Sequence, residues 1–315
     1  MWEAALKACA AQVDAELPRV LGDLQPASLR DAVRYYPDLG GKRLRPALAM
    51  LACEAAGGRR EDALHAGIAT ELVHNFSLLH DDIMDQDATR RGHPSGHVKY
   101  GAPLAILAGD ALFAKAFEVL HLAPAPAEAK VQMWHELAVA SRVLCEGQQR
   151  DMELEQARDA RPQDYYDMIY GKTGRLYECA TRLGGLAARA GPAQVEALAT
   201  YGRALGRGFQ VRDDILDVAG DPKKRGKPWA SDVRRGKRTI ILLLARERAK
   251  GADAALLDRV VGHLDASDAD VRRVVDLFQA SGALDEAQRA LQGFAPSEAR
   301  GALEALARFS VEREH

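Results

Sequence analysis

The sequence predicts an all-α protein, and three observations support this prediction. Apolar residues recur at spacings of three or four along most of the chain, which is the period of an amphipathic helix. One such stripe contains Ile68, Leu72, Phe76 and Ile83. Convincing alternation of apolar and polar residues, the pattern of strands, is not found, and residues that favour helices dominate the composition. We therefore expect a single large helical domain over residues 1–315.

The individual helices are predicted by this period and by the breakers between its segments. Gly191-Pro192 and the Gly- and Pro-rich segment 220–228 are breakers, and the second is expected to be a loop. Ser231 or Asp232 is expected to cap a helix that includes Ile240. The helical segments are predicted near residues 67–83, 131–157, 164–190, 193–218, 231–244 and, with interruptions, 254–312.

The composition is that of an ordinary globular chain without a basic surplus. Of its 315 residues, 47% are hydrophobic and 28% are charged, and the formal net charge is −2. Such a chain can bury a sizeable core. Because nucleic-acid and anionic-membrane binders need excess positive charge, we expect neither of these partners.

Four cysteines are scattered along the chain, at Cys9, Cys53, Cys145 and Cys179. This spacing argues against zinc ribbons and CxxC redox chemistry. The sequence has no signal-peptide pattern and no apolar run of membrane-spanning length. We therefore expect a cytoplasmic protein with no membrane span.

Two similar acidic motifs point to a metal site. His80-Asp81-Asp82-Ile83-Met84-Asp85 is echoed by Arg212-Asp213-Asp214-Ile215-Leu216-Asp217. On a helix, the first and last aspartates of each motif face the same side, about 6 Å apart along the axis. Carboxylate oxygens select Mg²⁺ or Mn²⁺ rather than zinc, and Mg²⁺ is usually shared with substrate phosphates. The motifs therefore predict a phosphorylated substrate that is bound through metal ions.

Basic segments near the acidic motifs fit phosphate binding. They are Gly40-Gly41-Lys42-Arg43-Leu44-Arg45-Pro46, Thr89-Arg90-Arg91-Gly92 and residues 221–238. Arginine forks and lysine ammonium groups bind phosphate oxygens well. Gly171-Lys172-Thr173 resembles the end of a Walker A loop, but the upstream glycine and the preceding strand are missing, so we reject a P-loop. Lys172 and Thr173 can still donate to phosphate from a helix.

In combination, these motifs resemble those of trans-isoprenyl diphosphate synthases, closest to the short-chain, archaeal-type geranylgeranyl diphosphate synthases. The resemblance extends from about Gly40 to Thr239. It implies the isoprenoid synthase fold, a single bundle of mostly antiparallel helices around a deep central cavity, usually as a homodimer. It also implies Mg²⁺-dependent head-to-tail condensation of isopentenyl diphosphate with dimethylallyl, geranyl or farnesyl diphosphate, giving mainly geranylgeranyl diphosphate. The metal would be a cluster of about three Mg²⁺ ions, for which Mn²⁺ can substitute.

The resemblance assigns roles to individual residues. Isopentenyl diphosphate would be bound by Lys42, Arg45, His74 and Arg91. The allylic diphosphate would be bound by Arg90, Lys172, Thr173, Gln210, Lys227 and Lys237. The metal ligands would be Asp81, Asp85, Asp213 and Asp217, with Asp82 and Asp214 as further ligands or as supports of the ligands. The residues expected to be catalytic are Asp81, Asp82, Asp85, Arg90, Arg91, Lys172, Asp213 and Asp214.

Two residues before the first motif bear on product length. In the family resemblance, an aromatic residue at the position of Phe76 limits chain growth, and the small Ser77 beside it favours a twenty-carbon product. On a helical wheel, however, Phe76 lies about 140° from Asp81 and Ser77 only about 40° away. Phe76 is therefore equally well explained as a core residue, and products of fifteen or twenty-five carbons stay open.

Other functions would use some of the same residues. A farnesyl synthase or a bifunctional farnesyl/geranylgeranyl synthase would share the same motifs. A metal-dependent phosphohydrolase would use His80 with Asp81, but the second motif has no nearby histidine. A non-catalytic synthase subunit commonly lacks one acidic motif, and a terpene cyclase usually lacks the basic segments at 40–46 and 90–92.

Overall fold

The structure, a computed structural model, describes residues 2–157, 159–220, 229–286 and 289. Helices dominate these residues, which confirms the predicted fold class. The helices are α1 (Trp2–Val20), α2 (Ala27–Asp38), α3 (Leu44–Ala55), α4 (Leu64–Met84), α5 (Gly96–Tyr100), α6 (Ala102–His121), α7 (Ala127–Gln156), α8 (Pro162–Ile169), α9 (Arg175–Ala187), α10 (Pro192–Ala219), α11 (Ser231–Arg235), α12 (Ile240–Arg248), α13 (Ala252–Val260) and α14 (Asp268–Ala280). The described strands, β1 (Thr89–Arg90) and β2 (His93–Pro94), form one antiparallel hairpin.

The predicted segments agree with helices α4, α7 and α10 to within a few residues. The helix predicted at 164–190 is interrupted, because a π-helical turn at Tyr170–Gly174 separates α8 from α9. The single helix predicted from Ser231 or Asp232 through residue 244 is wrong. Gly236 adopts a φ of 77°, which ends α11, and the side chain of Thr239 caps α12 by accepting from Leu242 N at 3.3 Å.

The chain divides into two compact units. The first contains the described residues up to Arg142 together with Leu176–Gly202, and the second contains Val143–Arg175 together with the described residues from Arg203 onward. Each unit has its own buried apolar cluster, and each carries one of the two acidic motifs. The prediction of a single domain over 1–315 stays a prediction.

In the first unit, α4 lies between α3 and α6. Helix α4 is apolar over most of its surface, and Ile68, Leu72 and Val73 are fully buried. Burying such side chains stabilises a fold by about 1.5–3 kcal/mol each. This packing fixes the axis of α4, so the acidic motif at its C-terminal end is held by a rigid element.

In the second unit, the apolar cluster surrounds α12, whose residues from Ile240 to Ala245 are buried. Val211 and Ile215 of α10 pack into the same cluster. In sequence they flank Asp213 and Asp214, so burial of Val211 and Ile215 fixes the rotation of α10 about its axis and with it the orientation of the second acidic motif. Among the described helices, none has the length and apolarity needed to cross a membrane.

Candidate active site

The three aspartates of the first acidic motif lie in different environments. Asp82 is fully buried, Asp81 is half-buried, and Asp85 is exposed directly after the end of α4. The backbone N–H of Asp85 donates to the carbonyl of Asp81 at 2.8 Å. The helical register therefore continues to Asp85, which keeps Asp81 and Asp85 on the same side, as predicted.

Asp82 is held by an arginine and a tyrosine. Arg90 Nε donates to Asp82 Oδ1 at 3.0 Å and to Oδ2 at 3.2 Å, and Arg90 Nη2 also donates to Oδ1. The hydroxyl of Tyr36 on α2 donates to Asp82 Oδ2. Burial acts to lower the pKa of Arg90, but the Asp82 carboxylate outweighs it and raises this pKa. Asp82 is thus a buried anchor for Arg90.

The turn of the β1–β2 hairpin presents the second arginine. Arg91 and Gly92 both adopt positive φ angles, 53° and 77°, in the left-handed region. Such a turn matches the twist of the paired strands, although a non-glycine residue there is strained. Arg91 Nη1 donates to the carbonyl oxygens of Gly40 and, at 3.5 Å, of Tyr36. The hairpin therefore lies against residues 40–46, called the glycine loop below, so two basic segments that were predicted to bind phosphate are neighbours.

The glycine loop contains three cations with different environments. Arg43 is buried, and it donates to Asp14 at 2.8 Å, to Glu71 at 2.9 Å and to the carbonyl of Pro37 at 2.6 Å. It therefore ties α1, α2 and α4 to the start of α3. Lys42 is exposed.

Arg45 is half-buried, and its guanidinium carbon lies 4.7 Å from the centre of the Tyr177 ring on α9. This stacking holds the guanidinium in one orientation.

His74 lies two helical turns before Asp81 on α4. Burial, followed by the positive charges of Arg45, Arg91, Arg90 and Arg43, lowers the pKa of His74 well below its usual value. The imidazole is therefore neutral near pH 7. The positive charges of these four arginines of the first unit are therefore concentrated near His74.

His80 points to a different element from the motif aspartates. Its Nε2 lies 3.2 Å from the carbonyl oxygen of Ile106 and 3.8 Å from Asp110, both on α6. A Cβ on Gly109 would come within 2.3 Å of this nitrogen, so glycine makes room for the ring. His80 therefore contacts α6, and this contact does not favour a role for His80 as a metal ligand.

Phe76 packs against aromatic residues of α6. Its ring centre lies 5.3 Å from that of Phe113, which in turn lies 5.3 Å from that of Phe117. Ser77 is buried, and its hydroxyl donates to the carbonyl of His74 at 2.8 Å. Of the two residues expected to govern product length, Phe76 therefore belongs to an aromatic cluster with α6, and Ser77 is buried with its hydroxyl bound to its own helix.

The aspartates of the second acidic motif also lie in different environments. Asp213 is exposed, whereas Asp214 and Asp217 are buried. Asp217 Oδ1 accepts from the hydroxyl of Ser231 at 2.9 Å, and Oδ2 accepts from the backbone N–H of Asp232 at 3.0 Å. Asp217 therefore holds the N-terminus of α11 with both oxygens, a role that the sequence pattern did not predict.

Asp214 is surrounded by polar groups of the second unit. Oδ2 accepts from the hydroxyl of Tyr165 at 2.6 Å, and Oδ1 accepts from Gln210 Nε2 at 3.1 Å and lies 3.8 Å from Lys237 Nζ. Burial raises the pKa of Asp214 to about 7, although the charge of Lys237 opposes this shift. Burial acts to lower the pKa of Lys237, but the carboxylates of Asp232 and Asp214 outweigh it and raise this pKa.

Lys172 and Thr173 lie in the π-helical turn. Lys172 Nζ pairs with Asp151 Oδ2 on α7 at 2.5 Å, and the hydroxyl of Thr173 donates to Gln210 Oε1 at 3.1 Å. A Cβ on Gly147 would come within 2.1 Å of the backbone nitrogen of Lys172. The turn therefore touches α7 backbone to backbone, which is possible only with glycine there.

One predicted residue is not described by the structure, and three residues of the site were not predicted. The prediction for Lys227 lies outside the described residues. Sequence reasoning missed Tyr36, Tyr165 and Asp151, which hold Asp82, Asp214 and Lys172. No local spacing signals these partners, because Tyr36 and Tyr165 are 46 and 49 residues away from their aspartates.

The residues of each unit fit a Mg²⁺ site that is completed by phosphate. In the described part of the chain, no three His, Cys, Asp or Glu side chains converge as a metal cluster by themselves. The acids that reach solvent, Asp81, Asp85 and Asp213, supply the hard oxygen ligands that Mg²⁺ prefers. Mg²⁺ commonly uses one or two carboxylates and takes its remaining ligands from water and substrate phosphates.

Comparison with known proteins identifies the family of the chain. The model of the family described as polyprenyl synthetase matches residues 26–278. A short chain isoprenyl diphosphate synthase of Methanothermobacter thermautotrophicus is 39% identical over 96% of this chain and 95% of its own length. A geranylgeranyl diphosphate synthase of Methanosarcina mazei is 40% identical over 86% of this chain and 83% of its own.

Among solved structures, a geranylgeranyl pyrophosphate synthetase from Pyrococcus horikoshii Ot3 superposes with a TM-score of 0.92 at 38% identity. The match covers 99% of this chain and 98% of the other. Fold and sequence therefore agree over nearly the whole length. The chain belongs to the polyprenyl synthetase family.

Proposed function

We propose that the protein is a Mg²⁺-dependent prenyltransferase that condenses isopentenyl diphosphate with allylic diphosphates and releases mainly geranylgeranyl diphosphate. The observation that carries this proposal is the organisation of the two acidic motifs. In each, the middle aspartate is buried against a cation while the first aspartate reaches solvent. The named activities of the relatives from Methanosarcina mazei and Pyrococcus horikoshii support the product.

Basic residues bind the two substrates. Arg91 and Lys42, with Arg45 and the neutral His74, bind isopentenyl diphosphate. The allylic diphosphate is bound by Arg90, Lys172, Thr173, Gln210, Lys237 and Lys227. Arginine guanidinium groups held in a fixed orientation suit this task, because each can donate two parallel hydrogen bonds to a pair of phosphate oxygens.

The metal ligands are assigned by exposure. Asp81 and Asp85 of the first motif and Asp213 of the second hold Mg²⁺, whereas Asp82 and Asp214 anchor the cations beside them. Asp217 was expected among the ligands, but both of its oxygens bind the start of α11, so its role here is to hold that element. Bound Mg²⁺ supplies charge neutralisation for the departing diphosphate.

The chemistry requires charge stabilisation more than proton transfer by a side chain. The C–O bond of the allylic diphosphate breaks, and its electron pair leaves with the diphosphate. The allylic carbocation is attacked by the isopentenyl double bond, which forms the new C–C bond. The released diphosphate then removes a proton, which restores a double bond. Arg90, Lys172 and Lys237 stabilise the leaving group, and exclusion of water protects the carbocation.

Phe76 limits the length of the product. The ring belongs to the aromatic cluster with Phe113 and Phe117, which is bulky enough to stop a growing chain. The small Ser77 leaves space on the neighbouring part of α4. This combination favours twenty carbons over fifteen.

The protein acts in the cytoplasm as a homodimer. Cys9, Cys53, Cys145 and Cys179 form no disulfide bond with one another, which fits a reducing compartment. A phosphohydrolase is less consistent with the site, because His80 contacts the carbonyl of Ile106 on α6.

A product assay tests the proposal. Purified protein is incubated with Mg²⁺, isopentenyl diphosphate and dimethylallyl, geranyl or farnesyl diphosphate, and the dephosphorylated alcohols are separated by length. A dominant twenty-carbon alcohol supports the synthase and the role of Phe76 together. A fifteen-carbon alcohol supports the synthase alone. Folded protein that condenses none of the primers contradicts the proposal.

A further inference from the structure

A buried tyrosine lies beneath both arginines of the β1–β2 hairpin. Tyr36 on α2 is 1% exposed, so its hydroxyl has no access to solvent and must be satisfied inside the protein. It donates to Asp82 Oδ2 and accepts from the backbone N–H of Gly96 at 3.0 Å. One hydroxyl therefore joins α2, the end of α4 and the start of α5.

Through Asp82, this hydroxyl reaches Arg90. The carboxylate of Asp82 accepts from Arg90 with both oxygens, and the Tyr36 hydroxyl fixes the rotation of that carboxylate. Burial and the hydrogen bond to Asp82 both raise the pKa of Tyr36, so the phenol stays protonated and keeps donating. The orientation of the Arg90 fork therefore depends on the Tyr36 side chain.

Arg91 depends on the same residue in a different way. Its Nη1 contacts the backbone carbonyl of Tyr36, at 3.5 Å, and not the phenol. Removing the hydroxyl thus takes away one hydrogen bond that orients Asp82, the partner of Arg90, and leaves the contact between Arg91 and the backbone of Tyr36 in place. This difference allows the two roles to be separated by experiment.

The second unit contains an independent example of the same arrangement. The hydroxyl of the fully buried Tyr165 donates to Asp214 Oδ2 at 2.6 Å, and Asp214 lies 3.8 Å from Lys237. In both motifs, a tyrosine from another helix holds the middle aspartate, which in turn faces a cation. The repetition indicates a function that is tied to the motif and not an accident of packing.

We propose that Tyr36 is a positioning residue that sets the orientation of Arg90 through Asp82, and thereby the affinity for the allylic diphosphate. Tyr165 has the equivalent role for Lys237. The inference rests on the proposed function, because it takes from it the assignment of Arg90 to the allylic substrate and Arg91 to isopentenyl diphosphate.

The test compares Tyr36→Phe with Tyr35→Phe. Both variants remove one buried hydroxyl at the same hairpin, since Tyr35 donates to the carbonyl of Pro94 at 2.8 Å. For Tyr36→Phe, we expect KM for dimethylallyl diphosphate to rise about tenfold while KM for isopentenyl diphosphate changes less than about twofold. Calorimetry with inorganic diphosphate and Mg²⁺ should give a matching loss of affinity. For Tyr35→Phe, both KM values should stay near those of the wild type.

A second variant keeps the test decisive if Tyr36→Phe folds poorly by circular dichroism. Asp82→Asn removes the charged link itself and should give the same selective rise in KM. The double variant should be no worse than Asp82→Asn alone, because the tyrosine acts through that carboxylate.

Several results would overturn the inference. They are an unchanged KM in Tyr36→Phe, an equal rise in both KM values, the same selective rise in Tyr35→Phe, or additive losses in the double variant. Each of these leaves the proposed function standing if the wild type condenses its substrates. A wild-type protein without condensation activity overturns the proposed function and this inference with it.

Discussion

Within each acidic motif, neighbouring aspartates perform different tasks. Asp81 and Asp85 reach solvent, and Asp82 is buried against Arg90 and Tyr36. Burial of a carboxylate costs several kcal/mol unless it is paired and hydrogen-bonded, and both conditions are met here. The pairing neutralises one charge of the cluster, which reduces repulsion at the end of α4 and leaves two carboxylates for the metal.

The first prediction concerns the role of Asp81. Asp81→Asn keeps the shape of the side chain and removes the charge that Mg²⁺ needs, so we expect kcat to fall by about 10²–10³-fold. Helical circular dichroism should be unchanged. Asp110→Asn, at an exposed aspartate of α6, is the matched control and should retain activity. Near-normal kcat in folded Asp81→Asn would contradict the metal assignment.

The second prediction concerns His74 and the stability of the substrate-free protein. The folded state holds His74 neutral, whereas the unfolded chain binds a proton below a pH of about 6.5. Stability is therefore lost as the pH falls below that value. In His74→Gln, we expect the decrease in unfolding free energy between pH 7.5 and pH 5.5 to be smaller by roughly 1 kcal/mol than in the wild type.

Urea denaturation at the two pH values measures this difference. Because the comparison is between variants, other titrating groups contribute equally and cancel. Equal pH dependence in the two proteins would mean that His74 is not buried in its neutral form.

At the scale of an element, the approach of the π-helical turn to α7 sets the position of Lys172. A Cβ on Gly171 would meet the Cα of Gly147 at 2.8 Å and the carbonyl oxygen of Val143 at 3.1 Å. Both are backbone atoms and cannot move aside. For Gly171→Ala, we expect a loss of about 1–3 kcal/mol in unfolding free energy and a higher KM for the allylic substrate.

Gly191→Ala is the control for this prediction. No atom lies within 4 Å of the position where its Cβ would be placed, so melting temperature and KM should match the wild type. If Gly171→Ala behaves like Gly191→Ala, the contact between the two backbones does not determine the position of Lys172.

The contact between α4 and α6 leads to a prediction about product length. Phe76→Ala removes one ring of the aromatic cluster with Phe113 and Phe117, which opens space beside Ser77. We expect longer alcohols in the product assay, with twenty-five carbons becoming prominent. An unchanged product length together with a lower melting temperature would instead identify Phe76 as a core residue.

Prediction from the sequence was most successful where a periodic pattern and a rigid core coincide. The apolar period located α4, α7 and α10, because their buried faces decide where they begin and end. It failed at Gly236 and at Tyr170–Gly174, where the local backbone conformation interrupts a helix that the flanking apolar residues had predicted to be continuous.

The same distinction applies to the candidate site: the helical period predicts some of its features, and tertiary contacts determine the others. Which aspartates share a face follows from the helical period, and the exposure of Asp81 and Asp85 agrees with it. The burial of Asp82 and the capping role of Asp217 depend on Tyr36 and Ser231, which approach from other elements. Contacts of this kind follow from the tertiary fold and leave no periodic trace in the sequence.

At the scale of the whole molecule, binding of metal and diphosphate should stabilise the fold. A ligand that binds only the folded state at about 100 times its Kd adds about 2.7 kcal/mol. We expect Mg²⁺ with inorganic diphosphate to raise Tm clearly, and either component alone to raise it much less, because each supplies ligands or charge that the other requires. EDTA should reverse the shift. An unchanged Tm in the presence of Mg²⁺ and diphosphate together would contradict a metal-dependent diphosphate site.

The left-handed backbone of Arg91 has a consequence for engineering heat resistance. Glycine would relax this turn, and design rules for turns would select it, since a side chain at such a φ costs roughly 1–2 kcal/mol. That substitution would also delete the guanidinium that reaches the carbonyls of Gly40 and Tyr36. If Arg91 binds isopentenyl diphosphate as proposed, a gain in thermal stability at the hairpin tip would come with a loss of turnover, and a thermostabilised variant should keep Arg91.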